Sequence, residues 1–171
     1  KLVCENGKAL FECETVDNSK VTNTVHLPKI SADFFKTDVK DKFDAIELIP
    51  ESIITKKVTV SYSDSLSKVC VIERHHNLGT KGIGFVTNYG ITNGAIATSI
   101  GHDSHNVIVI GDNDSDMALA VNTLGTSGGI AVCSEGKVIA SMTLDIAGLM
   151  SVKSADEVTR EHDNLYSAAK V

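Results

Sequence analysis

The sequence predicts an α+β fold, a mixed β-sheet with a few helices, joined to an N-terminal β-hairpin. Three observations carry this. Short runs rich in Ile and Val recur between turn residues from Phe43 to Met142, the texture of strands that pack on a half-buried surface. Helical apolar stripes with capping signals occur near Asn113 and Ser154, both late in the chain. Strands come first and helices are interspersed late, the order of an α+β domain.

Residues 1–13, KLVCENGKALFEC, hold two short alternating runs around Asn6-Gly7, a dipeptide that tolerates the positive φ angles of a tight hairpin turn. A lone two-stranded hairpin is marginal in water. It is therefore expected to complete a sheet whose other strands lie upstream, which makes the chain the C-terminal part of a longer protein. Residues 14–42 are polar and weakly patterned, with NTVHLPKI as the apolar interruption and Pro28 as a breaker. They read as a connecting arm, in which SADFF starts a short helix capped by Ser31.

Residues 43–171 form the main domain. FDAIELIP, SIITKKVTV and SKVCVIERH read as strands, followed by GIGFVTNYG and GAIATSI. VIVIG is a short buried strand. Asn113 with Asp116 makes a cap of the capping-box kind, Asp standing where Glu is usual. Met117, Ala120, Val121 and Leu124 then follow the i, i+3, i+4, i+7 stripe, and Gly125 ends that helix. GGIAVCSEGKVIASM reads as a hairpin turning at Glu135-Gly136. Ser154 and Glu157 form a second capping box, opening a last helix through Val158 and Leu165.

Composition narrows the function. A hydrophobic fraction of 42% and a charged fraction of 22% are those of a globular domain. Net charge is −6, with scattered lysines, which excludes the basic face that a nucleic-acid binder needs. No apolar run reaches the roughly 18 residues of a membrane span, and the first residues lack the features of a signal peptide. Cys4, Cys13, Cys70 and Cys133 fit no zinc ribbon or C-x-x-C spacing. Free thiols in a cytoplasmic protein are expected.

Polar chemistry concentrates in GHDSHN, Gly101 to Asn106, and in ERHH, Glu73 to His76, each at the edge of an apolar run. A hydrolase triad of Ser104, His102 or His105, and Asp103 fails, because neighbours on an extended segment point to opposite faces and no G-x-S-x-G elbow exists. A metal site could use His102 and His105, three apart, with Asp103 or His75-His76 added. Against it, H-E-x-x-H and the H-x-E with P-C-x-x-C of cytidine deaminases are absent. A third reading has His102 and Asn106 satisfying backbone groups at a strand junction, with ERHH a solvated strand end. GDNDSD lacks the Gly and terminal Glu of an EF-hand and reads as a helix cap; GTKGIG misses the P-loop pattern.

Taken in order, VIERHHNLGTKGIGFVTNYGITNGAIATSIGHDSHNVIVIGDNDSDMALAVNTL, then GG, GKV and LDIAGLMS, resemble the C-terminal domain of the bacterial and archaeal adenine deaminases. The resemblance is dense from Val71 to Ser151. NTVHL and IELIPESIIT extend it loosely upstream, while residues 12–20 and 152–171 carry little of it. It implies an enzyme of the amidohydrolase superfamily, which hydrolyses adenine to hypoxanthine and ammonia in purine salvage. It also implies a (β/α)8 barrel holding a divalent metal, manganese or iron, or zinc in related enzymes, that activates the attacking water.

That barrel's H-x-H segment and its other ligands do not occur here. No catalytic residue, metal ligand or cofactor is therefore expected in this chain, which should be inactive alone. The hairpin of residues 1–13 would be left over from the small β-domain that flanks the barrel. The partners implied are adenine and the missing barrel, and a homo-oligomer is expected, with no nucleic acid and no membrane. His102, Asp103, Ser104, His105 and Asn106, with Glu73, His75 and His76, become candidates for the substrate pocket or the domain interface. Asp103 would accept from an amine, and a His or Asn would donate to a ring nitrogen. The alternative is a stand-alone small-molecule binding or interaction domain of the same fold.

Overall fold

The computed structural model describes residues 2–12, 14, 16–38, 41–61 and 66–170. Asn6 and Gly7 adopt positive φ, 49° and 77°, and close the hairpin of β1 (Cys4–Glu5) and β2 (Lys8–Ala9). Among the described residues eight further strands form one sheet. They are β3 (Lys42–Leu48), β4 (Thr55–Ser61), β5 (Ser67–Ile72), β6 (Lys81–Thr87), β7 (Gly94–Thr98), β8 (Val107–Gly111), β9 (Gly129–Ser134) and β10 (Lys137–Thr143). Their order is β10-β9-β7-β8-β5-β6-β3-β4. The pairing of β3 with β6 is parallel and the others are antiparallel. The sheet is thus mixed, as the sequence predicts. No helix of the described residues is long and apolar enough to cross a membrane.

Period-2 alternation decides the two faces. Cys70, Ile72, Ala95, Ala97, Val107, Val109, Ala131 and Cys133 share one core with α1 (Asp114–Thr123). Small residues let α1 come close: a Cβ on Gly111 would lie 2.8 Å from Met117 Cγ. On the other face Val132, Met142 and Leu144 pack with Leu165 of α2 (Ala155–Ala168), flanked by Ile96, Ile130 and Val158.

Both helix starts follow their sequence signals. Asn113 Oδ1 accepts the Asp116 N–H at 2.8 Å. The reciprocal half is different: the shorter Asp116 carboxylate takes Asn113 Nδ2 at 2.9 Å and the Gly136 N–H at 2.8 Å instead. The Ser154–Glu157 box is complete. Gly125 lies at φ 56° beyond the end of α1, and the β9–β10 turn uses Glu135 and Gly136 at positive φ.

Within the 14–42 segment, Val25, Ile30 and Phe35 are fully buried in the main core. Asn122 clamps this segment, accepting the Ile30 N–H at 3.0 Å and donating to the Ile30 carbonyl at 2.7 Å. Lys68 Nζ donates to the Phe35 carbonyl at 2.9 Å. Lys81 Nζ donates to the Phe34 carbonyl and lies 4.1 Å from the Phe34 ring centre. The helix expected at SADFF is a single 3-10 turn, Ala32–Phe35, and Ser31 makes no side-chain cap. Lys36 leaves helical geometry at ψ 137°, so no second turn exists to make a cap worth forming.

Candidate functional site

The antiparallel pairing of β5, β7 and β8 decides which polar residues meet. Ile72 pairs with Val107, and Thr98 with Ile108. The segment after β5 and the loop before β8 therefore leave the sheet at one end. ERHH and GHDSHN, 25 or more residues apart in sequence, are brought side by side. His75 Nε2 donates to the Ser104 carbonyl at 3.0 Å. Arg74 Nε donates to the His105 carbonyl.

The 101–106 loop is tightly wound. The His105 N–H donates to the Gly101 carbonyl at 2.6 Å and the Ser104 N–H to the His102 carbonyl at 2.9 Å. Asp103 and His105 take positive φ, 65° and 50°. Gly101 has no room for a side chain, since a Cβ would lie 2.5 Å from the Asn106 carbonyl oxygen. The side chains divide in two. His102 and Asp103 stand in solvent, 94% and 92% exposed and 3.1 Å apart. His105 and Asn106 are half-buried, and His105 Nδ1 and Asn106 Oδ1 are covered without a hydrogen-bond partner.

The Glu73 carboxylate organises the second cluster. It accepts the N–H of His75, of His76 at 2.8 Å and of Leu78 at 3.2 Å. Burial raises its pKa, but the donors from Leu78, His76 and His75 outweigh burial and hold it below the ordinary glutamate value of 4.5. A depressed folded pKa contributes stability that is present above the ordinary value and lost as pH falls through the depressed one. The amide resonances of His76 and Leu78 should therefore titrate with a midpoint below that of a free glutamate. A midpoint at or above the ordinary value would refute the carboxylate's hold on this turn.

Three residues at this end went unread in the sequence. Arg74 is 2% exposed, and burial lowers its pKa, though a guanidinium stays protonated. Ser99 is fully buried; its hydroxyl donates to the Gly148 carbonyl at 2.5 Å and accepts the Gly129 N–H at 2.8 Å. Ala147 takes φ 56°. A signal existed for two of them: Arg74 continues the inward alternation Cys70, Ile72, and Ser99 continues Ala95, Ala97.

The other polar groups are accounted for by the fold. Asp112 accepts the N–H of Gly94 at 2.9 Å and of Asn93, so GDNDSD holds turns at the far end of the sheet. Burial pushes the Cys70 and Cys133 thiols up to about 11, which leaves them un-ionised and inert. Cys4 is exposed, and Cys13 lies outside the described residues. Among the described residues no three His, Cys, Asp or Glu side chains come together to hold an ion. His102, His105, Asp103, His75 and His76 are not gathered into such a group.

The model of the adenine deaminase C-terminal domain family matches residues 47–171, beyond the stretch where the motifs are densest. The adenine deaminase of Dehalococcoides mccartyi is 35% identical over 178 residues, covering 96% of this chain and 31% of that protein. Adenine deaminase 2 of Carboxydothermus hydrogenoformans is 38% identical, covering 97% of this chain and 31% of its own length. The adenine deaminase of Clostridium acetobutylicum is 43% identical over 155 residues, 83% of this chain and 27% of that protein. The chain spans less than a third of the length of these relatives.

Proposed function

Because this chain belongs to the adenine deaminase C-terminal domain family, we propose that it is the C-terminal portion of an enzyme hydrolysing adenine to hypoxanthine and ammonia. The chemistry of that reaction needs an activated water and a group that protonates the departing amine. Both are assigned to the part of the enzyme outside this chain, a metal-binding barrel. This domain's contribution is the exposed end of its sheet, which closes over the purine or braces the barrel.

The observation that supports this reading is the division of the 101–106 loop. Asp103 and His102 reach into solvent from a backbone that is bonded to its neighbours at Ser104 and His105. A fixed loop with projecting polar tips suits contact across an interface. Leu78, Ile100 and Met150, on segments leaving the same end of the sheet, are exposed, as expected where another layer of the same protein packs. In this reading Asp103 would accept from the exocyclic amine of adenine, and the His102 ring would donate to a ring nitrogen.

The test compares two proteins, the 171-residue chain and the same chain with its upstream portion. Purine absorbance and ammonia are followed with manganese or iron supplied. The longer protein should deaminate adenine and the shorter one should not. Turnover by the purified chain alone would overturn the division of labour, and an inert longer protein would overturn the activity.

A further inference from the structure

We propose that Arg74 is the positioning residue of the 101–106 loop, its buried guanidinium bridging the carbonyls of His105 and Ala147. The bridge fixes the backbone from which Asp103 and His102 project. That these side chains serve the reaction rests on the function proposed above; the bridge itself does not.

Arg74 forms no ion pair with a carboxylate among the described residues, although it is 2% exposed. A buried charge must be satisfied by hydrogen bonds if it is not paired. Here two backbone carbonyls from separate loops do this. Nε donates to His105 and Nη2 donates to Ala147 at 2.9 Å. Both acceptors belong to non-glycine residues in the left-handed region, φ 50° and 56°. Such residues persist where surrounding contacts over-determine them. A planar fork of donors, spaced to reach two acceptors at once, supplies that determination in a way that the single ammonium of lysine does not.

The space for the guanidinium is made elsewhere in sequence. A Cβ on Gly148 would lie 2.6 Å from Arg74 Nη1, so glycine there admits the side chain. The Ser99 hydroxyl, bonded to the Gly148 carbonyl and the Gly129 N–H, holds that segment against the sheet. On the opposite side His75 holds the Ser104 carbonyl at 3.0 Å. Adjacent residues of one strand extension thereby grip adjacent carbonyls of the loop.

The test uses amide hydrogen exchange on this chain carrying Arg74→Ala or Arg74→Lys. The His105 amide, bonded to Gly101, should lose protection roughly tenfold or more in both variants, while the β8 amides keep theirs. Guanidinium added far below denaturing concentrations should restore protection to Arg74→Ala and leave Arg74→Lys unchanged. Unaltered protection at His105, or loss spread evenly over loop and β8, overturns the proposal. Adenine kcat/KM is then measured on the longer protein with the same substitutions. Selective loop loosening supports the bridge whatever the turnover; intact turnover beside it would overturn the loop's role in the reaction instead.

Discussion

Replacing Phe35 by alanine should destabilise the domain by about 3–5 kcal/mol, and the loss should appear as a lower denaturant midpoint with the transition still cooperative. Phe35 is fully buried in the main core and sits on a single 3-10 turn with no internal stability of its own. Its ring is held against α1 by tertiary contacts alone, so the cavity left by truncation has little freedom to collapse. Phe34, half-buried beside it and capped by the Lys81 ammonium, should cost less when changed in the same way. Equal small effects at the two positions, below about 1 kcal/mol, would mean that the segment is a tether resting on the domain. A large effect at Phe35 makes residues 25–35 part of the folding unit.

The contrast between that segment and the rest of the chain explains what the sequence made legible. The α1 stripe, the Ser154–Glu157 box and the two hairpin turns are local devices, each written within about ten residues by periodicity or by a turn dipeptide. Val25, Ile30 and Phe35 follow no period. They are buried by packing against α1 and the sheet, and the backbone is fixed there by Asn122, 92 residues from Ile30, and by Lys68, 33 residues from Phe35. Such partners have no sequence signature. The parallel contact of β3 with β6 is hidden for the same reason, since it spans two intervening strands and only three residue pairs.

The candidate site divides along the same line. Both polar clusters were visible as dense runs of reactive side chains, but their meeting depends on β5 lying beside β8. Arg74 looked like one charge among several at a strand end. Carrying the inward alternation one step past Ile72 and one past Ala97 would have turned Arg74 and Ser99 towards the interior. A charged residue at an inward position, its acidic neighbour Glu73 turned to the other face by the alternation, is a cue that irregular backbone waits there to be held.

In the enzyme that includes the upstream portion, Asp103→Asn should reduce adenine kcat/KM roughly ten- to hundred-fold with bound metal unchanged. The substitution is chosen to spare the backbone. Asp103 sits at φ 65°, a region that asparagine also tolerates, so only the charge and one acceptor are altered. With its side chain 92% exposed and its described ion-pair contact made to His102, the carboxylate has little to lose within the domain, and the melting temperature should hold. On the proposed function, its value would arise where the sheet end meets substrate and water is excluded. There a hydrogen bond to a charged group is worth about 1.5–3 kcal/mol, which sets the expected loss. His105→Ala offers the comparison. That ring is half-buried, with Nδ1 covered and unpartnered, so its removal should act through the loop and disturb protection there as well as turnover. If Asp103→Asn leaves kcat/KM intact while the melting temperature falls, the loop is structural. If metal is lost, the loop reaches the ion, and the assignment of all ligands to the barrel fails.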